Sequence, residues 1–467
     1  MGRLNRDEEI FLSESYEITV KLQSRGHFFA GHLSLTPQRI SLYISGDLHD
    51  DRVHDLDPNQ IEQLECYSLN HKFVLCDLHF TNNQIQWLDH TRRLRHFEYT
   101  YQAAAVLVVP QSFDANEINE VNIYSPTVSD WVGVTQAQHE YLAHSPSELQ
   151  PDLASVLYTE MPNRGAMEIA YITTSHFSQT TRSAGIGFEI YTNFTPTEPL
   201  TQRAALEYIE EFRFFFEIIE GADPEITKVH VTSGELDGYL YYPSVGVRHR
   251  QSAPRNLFPL GHELLHPSGL PKFPIESISA FFTLDKILLE RWKKAVRYRH
   301  LGVLEDRFLG AFRLVEAFTL QKACYIQDED LLASTLTRIE RLAIKLFSTE
   351  KPANVRSFLG RMRKLNHQRY NTATCVQKLY KTLPRELTST WRYQVSDIPD
   401  ISQKRNDITH ANPYFFTDSE LLSWTAFVEA LLFISLMDSI AVPRASTIKI
   451  LPRTDGYSLL LKPRNSD

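Results

Sequence analysis

Cysteine is scarce in this chain. Four residues (Cys66, Cys76, Cys324, Cys375) are spread over 467 positions with no CxxC pair, which excludes a disulfide framework. No Walker A loop, GxSxG elbow or Rossmann fingerprint occurs. The opening MGRLNRDEEIF lacks the apolar run of a signal peptide, and Arg6 stands where a myristoylation motif needs Ser or Thr. A cytoplasmic location is therefore expected. Long apolar runs are nearly absent too. The longest, Leu421–Met437, spans 17 residues and holds Glu429 at its middle, short of the roughly 20 that a membrane span needs. Its expected place is the centre of a helical bundle, with no membrane contact. Finally, no Lys or Arg occurs between Arg95 and Arg164.

What is present suffices for cores: 42% hydrophobic residues, with 27 Phe and 21 Tyr. A length of 467 residues implies two or three domains. Charge divides the chain. Residues 1–275 carry 19 basic against 36 acidic side chains, a balance of −17, whereas residues 276–467 carry 29 against 21, a balance of +8. The basic half is the better candidate for nucleic acid. Texture changes at the same place. Short β-rich runs recur first, among them 16–23, 27–35, 39–45, 72–80, 104–109, 167–174 and 186–192, with one helical segment near 202–220. Helical periodicity follows over 275–298, 303–326, 329–347, 352–366, 370–393, 400–411 and 418–440. The expected class is α+β and multidomain. It comprises an acidic β-rich sensor or regulatory domain over 1–253 (sandwich or barrel-like), a Pro-rich hinge over 254–274, a helical bundle over 275–445, and a short tail over 446–467 with β-like pieces at 446–451 and 456–461.

Two motifs compete for the chemistry. HELLH (His262, Glu263, Leu264, Leu265, His266) fits the zinc-hydrolase pattern, in which two imidazoles on one helical face hold the metal. Pro259 precedes it and Pro267 directly follows His266, so a continuous helix is disfavoured there. No metal is expected. RNDITH (Arg405, Asn406, Asp407, Ile408, Thr409, His410) lies between strongly helical segments in the basic half, closed by Asn412-Pro413. In a helix Asn406 and His410 share a face, while Arg405 stands about 140° round the wheel from His410. Glu316 interrupts the apolar arc of Leu304, Phe308, Leu309, Phe312, Val315 and Leu320, so it requires a partner: Arg405, Lys404 or a backbone group.

A helical bundle ending in R-N-x-x-x-H before a long apolar helix resembles the HEPN ribonucleases. The β-rich first half, with FLGAFRLVEAF and KRNDITHANPY, more specifically resembles the ApeA-type abortive-infection proteins. That resemblance implies a metal-independent endoribonuclease without cofactor, cutting RNA (tRNA in the first instance) to 2′,3′-cyclic phosphate and 5′-OH ends. It implies catalytic roles for Arg405, Asn406 and His410, with Glu316 at an acidic position on an earlier helix. It also implies a homodimer or higher homo-oligomer, and a phage-derived trigger acting on the N-terminal domain. The residues suit such chemistry: a histidine shuttles protons near neutral pH, and an arginine holds phosphate bidentately. Lys404, Arg361, Arg363 and Lys364 are the expected RNA contacts, and 291–299 (RWKKAVRYR) interleaves cations with Trp292 and Tyr298 in a similar way. Two other readings stay open: a non-catalytic HEPN module that binds RNA or protein, and a zinc hydrolase through HELLH.

Overall fold

The computed structural model describes residues 8–24, 27–49, 63–135, 138, 155–178, 183–244, 257–258, 260, 269–321, 326–366, 370–410, 412–413 and 415–463. HELLH, Cys324 and most of the expected hinge lie outside them. Two compact units emerge, Met1–Leu289 with Ile440–Val442, and Glu290–Ser439 with Pro443–Asp467.

The first unit is built on strands β1 (Tyr16–Ser24), β2 (His27–Thr36), β3 (Arg39–His49), β4 (Gln63–Tyr67), β5 (Lys72–Cys76), β6 (His79–Asp89), β7 (Leu94–Ala103), β8 (Ala105–Val109), β9 (Glu120–Tyr124), β10 (Ser155–Met161), β11 (Gly165–Ser178), β12 (Ser183–Pro196), β13 (Lys228–Ser233) and β14 (Leu236–Tyr241). They form one 14-stranded sheet in the order β10-β11-β12-β9-β13-β14-β8-β5-β4-β1-β2-β3-β7-β6. The ladder ends at different strands, so its pairing stays open. In β1, Tyr16, Ile18, Val20 and Leu22 are buried and the residues between them exposed, the period of a half-covered strand. β5 and β8 are buried throughout.

Helix α1 (Pro126–Val132) precedes α2 (Gln202–Glu220), which starts at the Thr201 cap and stops at Gly221, whose φ of 78° is the left-handed conformation glycine tolerates. Gln202 at the start of α2 donates to the Val74 carbonyl of β5 at 3.0 Å, and Phe212, Phe215, Phe216 and Ile219 are buried. Cys66 and Cys76 belong to this core: burial pushes the Cys66 thiol far up and that of Cys76 up to about 11. Helix α3 (Glu276–Phe282) also belongs to this unit. Arg164 donates to both Glu211 and the Phe282 carbonyl at 2.7 Å, and Ser279 donates to the Glu160 carbonyl at 2.7 Å. The change from strand to helix at 275 thus precedes the change of unit, between Leu289 and Glu290.

The second unit is helical: α4 (Lys286–Arg299) from Glu290 on, α5 (Leu304–Thr319), α6 (Glu329–Leu346), α7 (Pro352–Leu365), α8 (Thr372–Lys381), α9 (Arg385–Thr388), α10 (Ile398–Thr409), α11 (Asp418–Ser439) and α12 (Arg444–Ile450). Proline at 384 divides the helix expected over 370–393. Gly310 lets α5 approach α4, because a Cβ there would meet the Tyr298 ring at 2.5 Å. Trp292 is fully buried and donates to Ser439 at 3.0 Å, so RWKKAVRYR does not offer that indole to RNA. By length and composition α11 could cross a membrane, yet 78% of its apolar window is buried inside the protein.

The tail corrects an expectation. Residues 446–451 and 456–461 are helical (α12 and short 3-10 turns at Leu451–Arg453 and Tyr457–Leu460), apart from one isolated bridge between Trp391 and Leu461. Pro443 opens α12, and Ile450, Leu451 and Leu460 bury themselves in the bundle. An apolar run that short does not declare its period.

Candidate active site at the end of helix α10

Helix α10 carries RNDITH. It follows a 3-10 turn (Val395–Asp397) with a capping box between Gln394 and Asp397, and Pro399 sits in its first turn, where no N–H is missed. Ile398 and Ile401 anchor one face in the core. The helix ends at Thr409. His410 caps it with its N–H on the Asn406 carbonyl at 2.9 Å, and Asn412 folds back to donate to the Asp407 carbonyl at 2.9 Å. The imidazole of His410 is exposed, and no described residue hydrogen-bonds it.

Arg405 is held by two acceptors. Its Nη2 donates to Glu316 Oε2 on α5 at 2.8 Å, and its Nη1 donates to Asn406 Oδ1 at 3.0 Å. The guanidinium lies 5.8 Å from the Phe312 ring centre. Glu316 Oε1 accepts from the Thr372 hydroxyl of α8 at 2.7 Å. The relay Thr372–Glu316–Arg405–Asn406 therefore gathers three helices around the motif. It has a chemical consequence. With Asn406 Oδ1 occupied by Arg405, its amide group faces outward as a donor, suited to an anionic oxygen. Arg405 keeps its buried Nε without a hydrogen-bond partner.

The apolar arc predicts a core position for Glu316. Instead its side chain is 31% exposed and lines a cleft of about 390 Å3 with Tyr370, Thr372, Gln403 and Asn406. The arc ends at that cleft, so the carboxylate meets both a cation and solvent. Lys404 lies on another face of α10 and lines a separate cleft. Arg361, Arg363 and Lys364 are exposed on α7, which packs on α6 rather than on the motif helix. The structure thus brings Arg405, Asn406 and Glu316 together and leaves the α7 cations apart. Thr372 and Phe312 belong to the site without any signal in their local sequence. Among the described residues, no group of His, Cys, Asp or Glu is arranged to hold a metal ion.

Compared with known families, residues 16–266, more than half of the chain, match the model of ApeA N-terminal domain 1. No curated protein and no solved structure matches.

Proposed function

The chain belongs to the ApeA family of antiphage defence, and on that premise we propose that it is a metal-independent endoribonuclease of abortive infection, with tRNA as the first substrate to test. The observation that carries the reading is the Thr372–Glu316–Arg405–Asn406 relay, which organises an intact RNDITH motif at an open helix end. RNA brings its own nucleophile. A base removes the 2′-OH proton, O2′ attacks phosphorus, and the P–O5′ bond breaks. The departing 5′-oxygen then takes a proton, leaving 2′,3′-cyclic phosphate and 5′-OH ends. His410, exposed and next to Asn406, is the proton-transfer group. The Asn406 amide donates to a phosphate oxygen, and Arg405 sets that amide and stabilises the charge gathering on phosphorus.

The experiment incubates the full chain with total bacterial RNA in excess EDTA, alone and with phage-infected extract. Discrete fragments with cyclic phosphate ends are expected. RNA retained intact in complex under both conditions would replace the nuclease with the binding-module reading. Chelator-sensitive cleavage would instead return attention to His262, Glu263 and His266. The acidic first unit is the proposed sensor for a phage-derived trigger.

Self-association is part of the proposal, because paired motifs would separate base from acid. The hairpin of α6 and α7 supports it. Leu331, Ile339, Leu342 and Leu346 of α6 and Phe358 and Met362 of α7 form one stripe at helical spacing, each at least 41% exposed. Glu340 and Arg356 pair on the opposite side of the hairpin. Light scattering should give a dimer or larger particle, and Leu342→Glu with Phe358→Glu should shift it to monomer. A monomeric wild type at micromolar concentration would refute this part.

A further inference from the structure

The cleft that holds Lys404 is not the one beside Asn406. Two residues apart on α10, these side chains stand about 200° round the helix, so each opens on its own side. The Lys404 cleft has a volume of about 620 Å3 and is lined by Arg392, Tyr393, Asp400, Gln403 and Trp424, among others. Its chemistry is mixed: two aromatic rings, two cations and two carboxylates, one of which, Asp400, has no partner among the described residues.

The aromatic part is fixed in place. Trp424 is partly exposed, and its indole is braced edge-on by Phe416, with ring centres 5.4 Å apart and planes at 74°. The Tyr393 hydroxyl is hydrogen-bonded to Ser423, and its ring packs on Phe427 at 5.4 Å. A braced, partly exposed indole is a stacking face for an unstacked base. Arg392 and Lys404 line the same cleft. Hydrogen bonds from the Thr417 backbone and hydroxyl hold the Glu420 carboxyl below its usual range, and the charges of Arg392 and Lys404 add to that. Lys404 makes no hydrogen bond or ion pair with any described residue.

Asp400 is the second carboxylate of the cleft. Its neighbour Asp397 is already occupied, accepting from the Gln394 N–H at 2.7 Å and the Ser396 hydroxyl at 3.3 Å. Asp400 is exposed and has no such partner among the described residues. A carboxylate accepts two parallel N–H bonds from guanine, whose N1–H and N2–H lie on one edge. Adenine and cytosine offer one exocyclic amine beside an acceptor, and uracil one N3–H between two carbonyls. Lys404 lies six residues before His410, about 9 Å along the axis, so the cleft takes a nucleotide other than those at the scissile bond.

We infer that this second cleft is a base-recognition subsite for one unstacked guanosine nucleotide of the RNA: the base stacks on Trp424, its donor edge pairs with Asp400, and its phosphate meets Arg392 and Lys404. The inference deepens the ribonuclease reading and rests on it. The test measures calorimetric binding of GMP, AMP, CMP and UMP to the full chain carrying His410→Ala, so that no chemistry intervenes. GMP is expected to bind at least tenfold more tightly than UMP. Trp424→Ala should weaken all four nucleotides. Asp400→Asn, an exposed change that spares the fold, should cost GMP about tenfold and leave AMP within twofold. Equal binding of the four nucleotides, or an Asp400→Asn variant that keeps the guanine preference, overturns the subsite, as does the absence of binding at millimolar GMP. The two readings fail separately. RNA cleavage in EDTA without guanine preference removes the subsite alone, whereas guanine binding without cleavage removes the nuclease and keeps a guanine-recognising RNA site.

Discussion

Replacing His410 with alanine is expected to lower RNA cleavage about 10²- to 10⁴-fold, the range for removing a positioned general acid or base. His410 is the one imidazole of the motif, and the amide of Asn406 and the hydroxyl of Thr409 are poor proton carriers. The change should leave the fold alone. The imidazole is exposed, and the contact that ends α10 is His410 N–H on Asn406 O at 2.9 Å, which alanine keeps. Denaturation should therefore move by no more than about 0.5 kcal/mol. Arg405→Lys is the informative companion. A lysine cannot bridge Glu316 and Asn406 at once with a planar fork, so the Asn406 amide loses its set orientation although the charge is retained. The pair of variants separates proton transfer from positioning. Full activity in His410→Ala would move the chemistry away from RNDITH altogether.

How much of this was legible in the sequence varies by element. The strands at 16–24 and 27–36 announce themselves by alternation, and α11 by its nearly unbroken apolar run. The tail was misread because IKIL and YSLL are too short to show a period. In 291–299 the interleaved charge is more conspicuous than the spacing of Trp292. Trp292, Ala295 and Val296 stand at i, i+3 and i+4, a core face, and all three are buried. The candidate site divides in the same way. Arg405, Asn406 and His410 lie within six residues and are visible as a motif. Glu316 stood out as a misplaced carboxylate, with Arg405 one of three possible partners. The pairing itself spans 89 residues and is set by how α5 and α10 pack, which no local pattern encodes. Thr372 and Trp424 are similar: ordinary residues that acquire their roles from packing.

The largest stability effect is expected at the carboxylate inside the apolar helix. Glu429 stands on α11 among Val428, Ala430, Leu431 and Leu432, all buried, and accepts from Arg307 Nε at 2.5 Å and Nη2 at 2.7 Å. Burial works against the Arg307 charge. The two hydrogen bonds and the charge of Glu429 more than offset it, holding the guanidinium pKa above its ordinary value. Removing one partner differs from removing both. Glu429→Ala strands a cation that keeps 28% of its side-chain surface. The cost should be about 3 kcal/mol, at the low end for broken buried pairs because solvent reaches part of Arg307. The double change Arg307→Met with Glu429→Leu removes the charge together with its partner, and most of that loss should return. Denaturant midpoints of the wild type, Arg307→Met, Glu429→Leu and the double variant measure the coupling directly. Coupling near zero would mean that the pair is solvated in solution and that α11 is held by apolar packing alone. Strong coupling would explain how a helix with the composition of a membrane span keeps a carboxylate at its middle: the bundle supplies Arg307 as the counter-charge, which a lipid environment lacks.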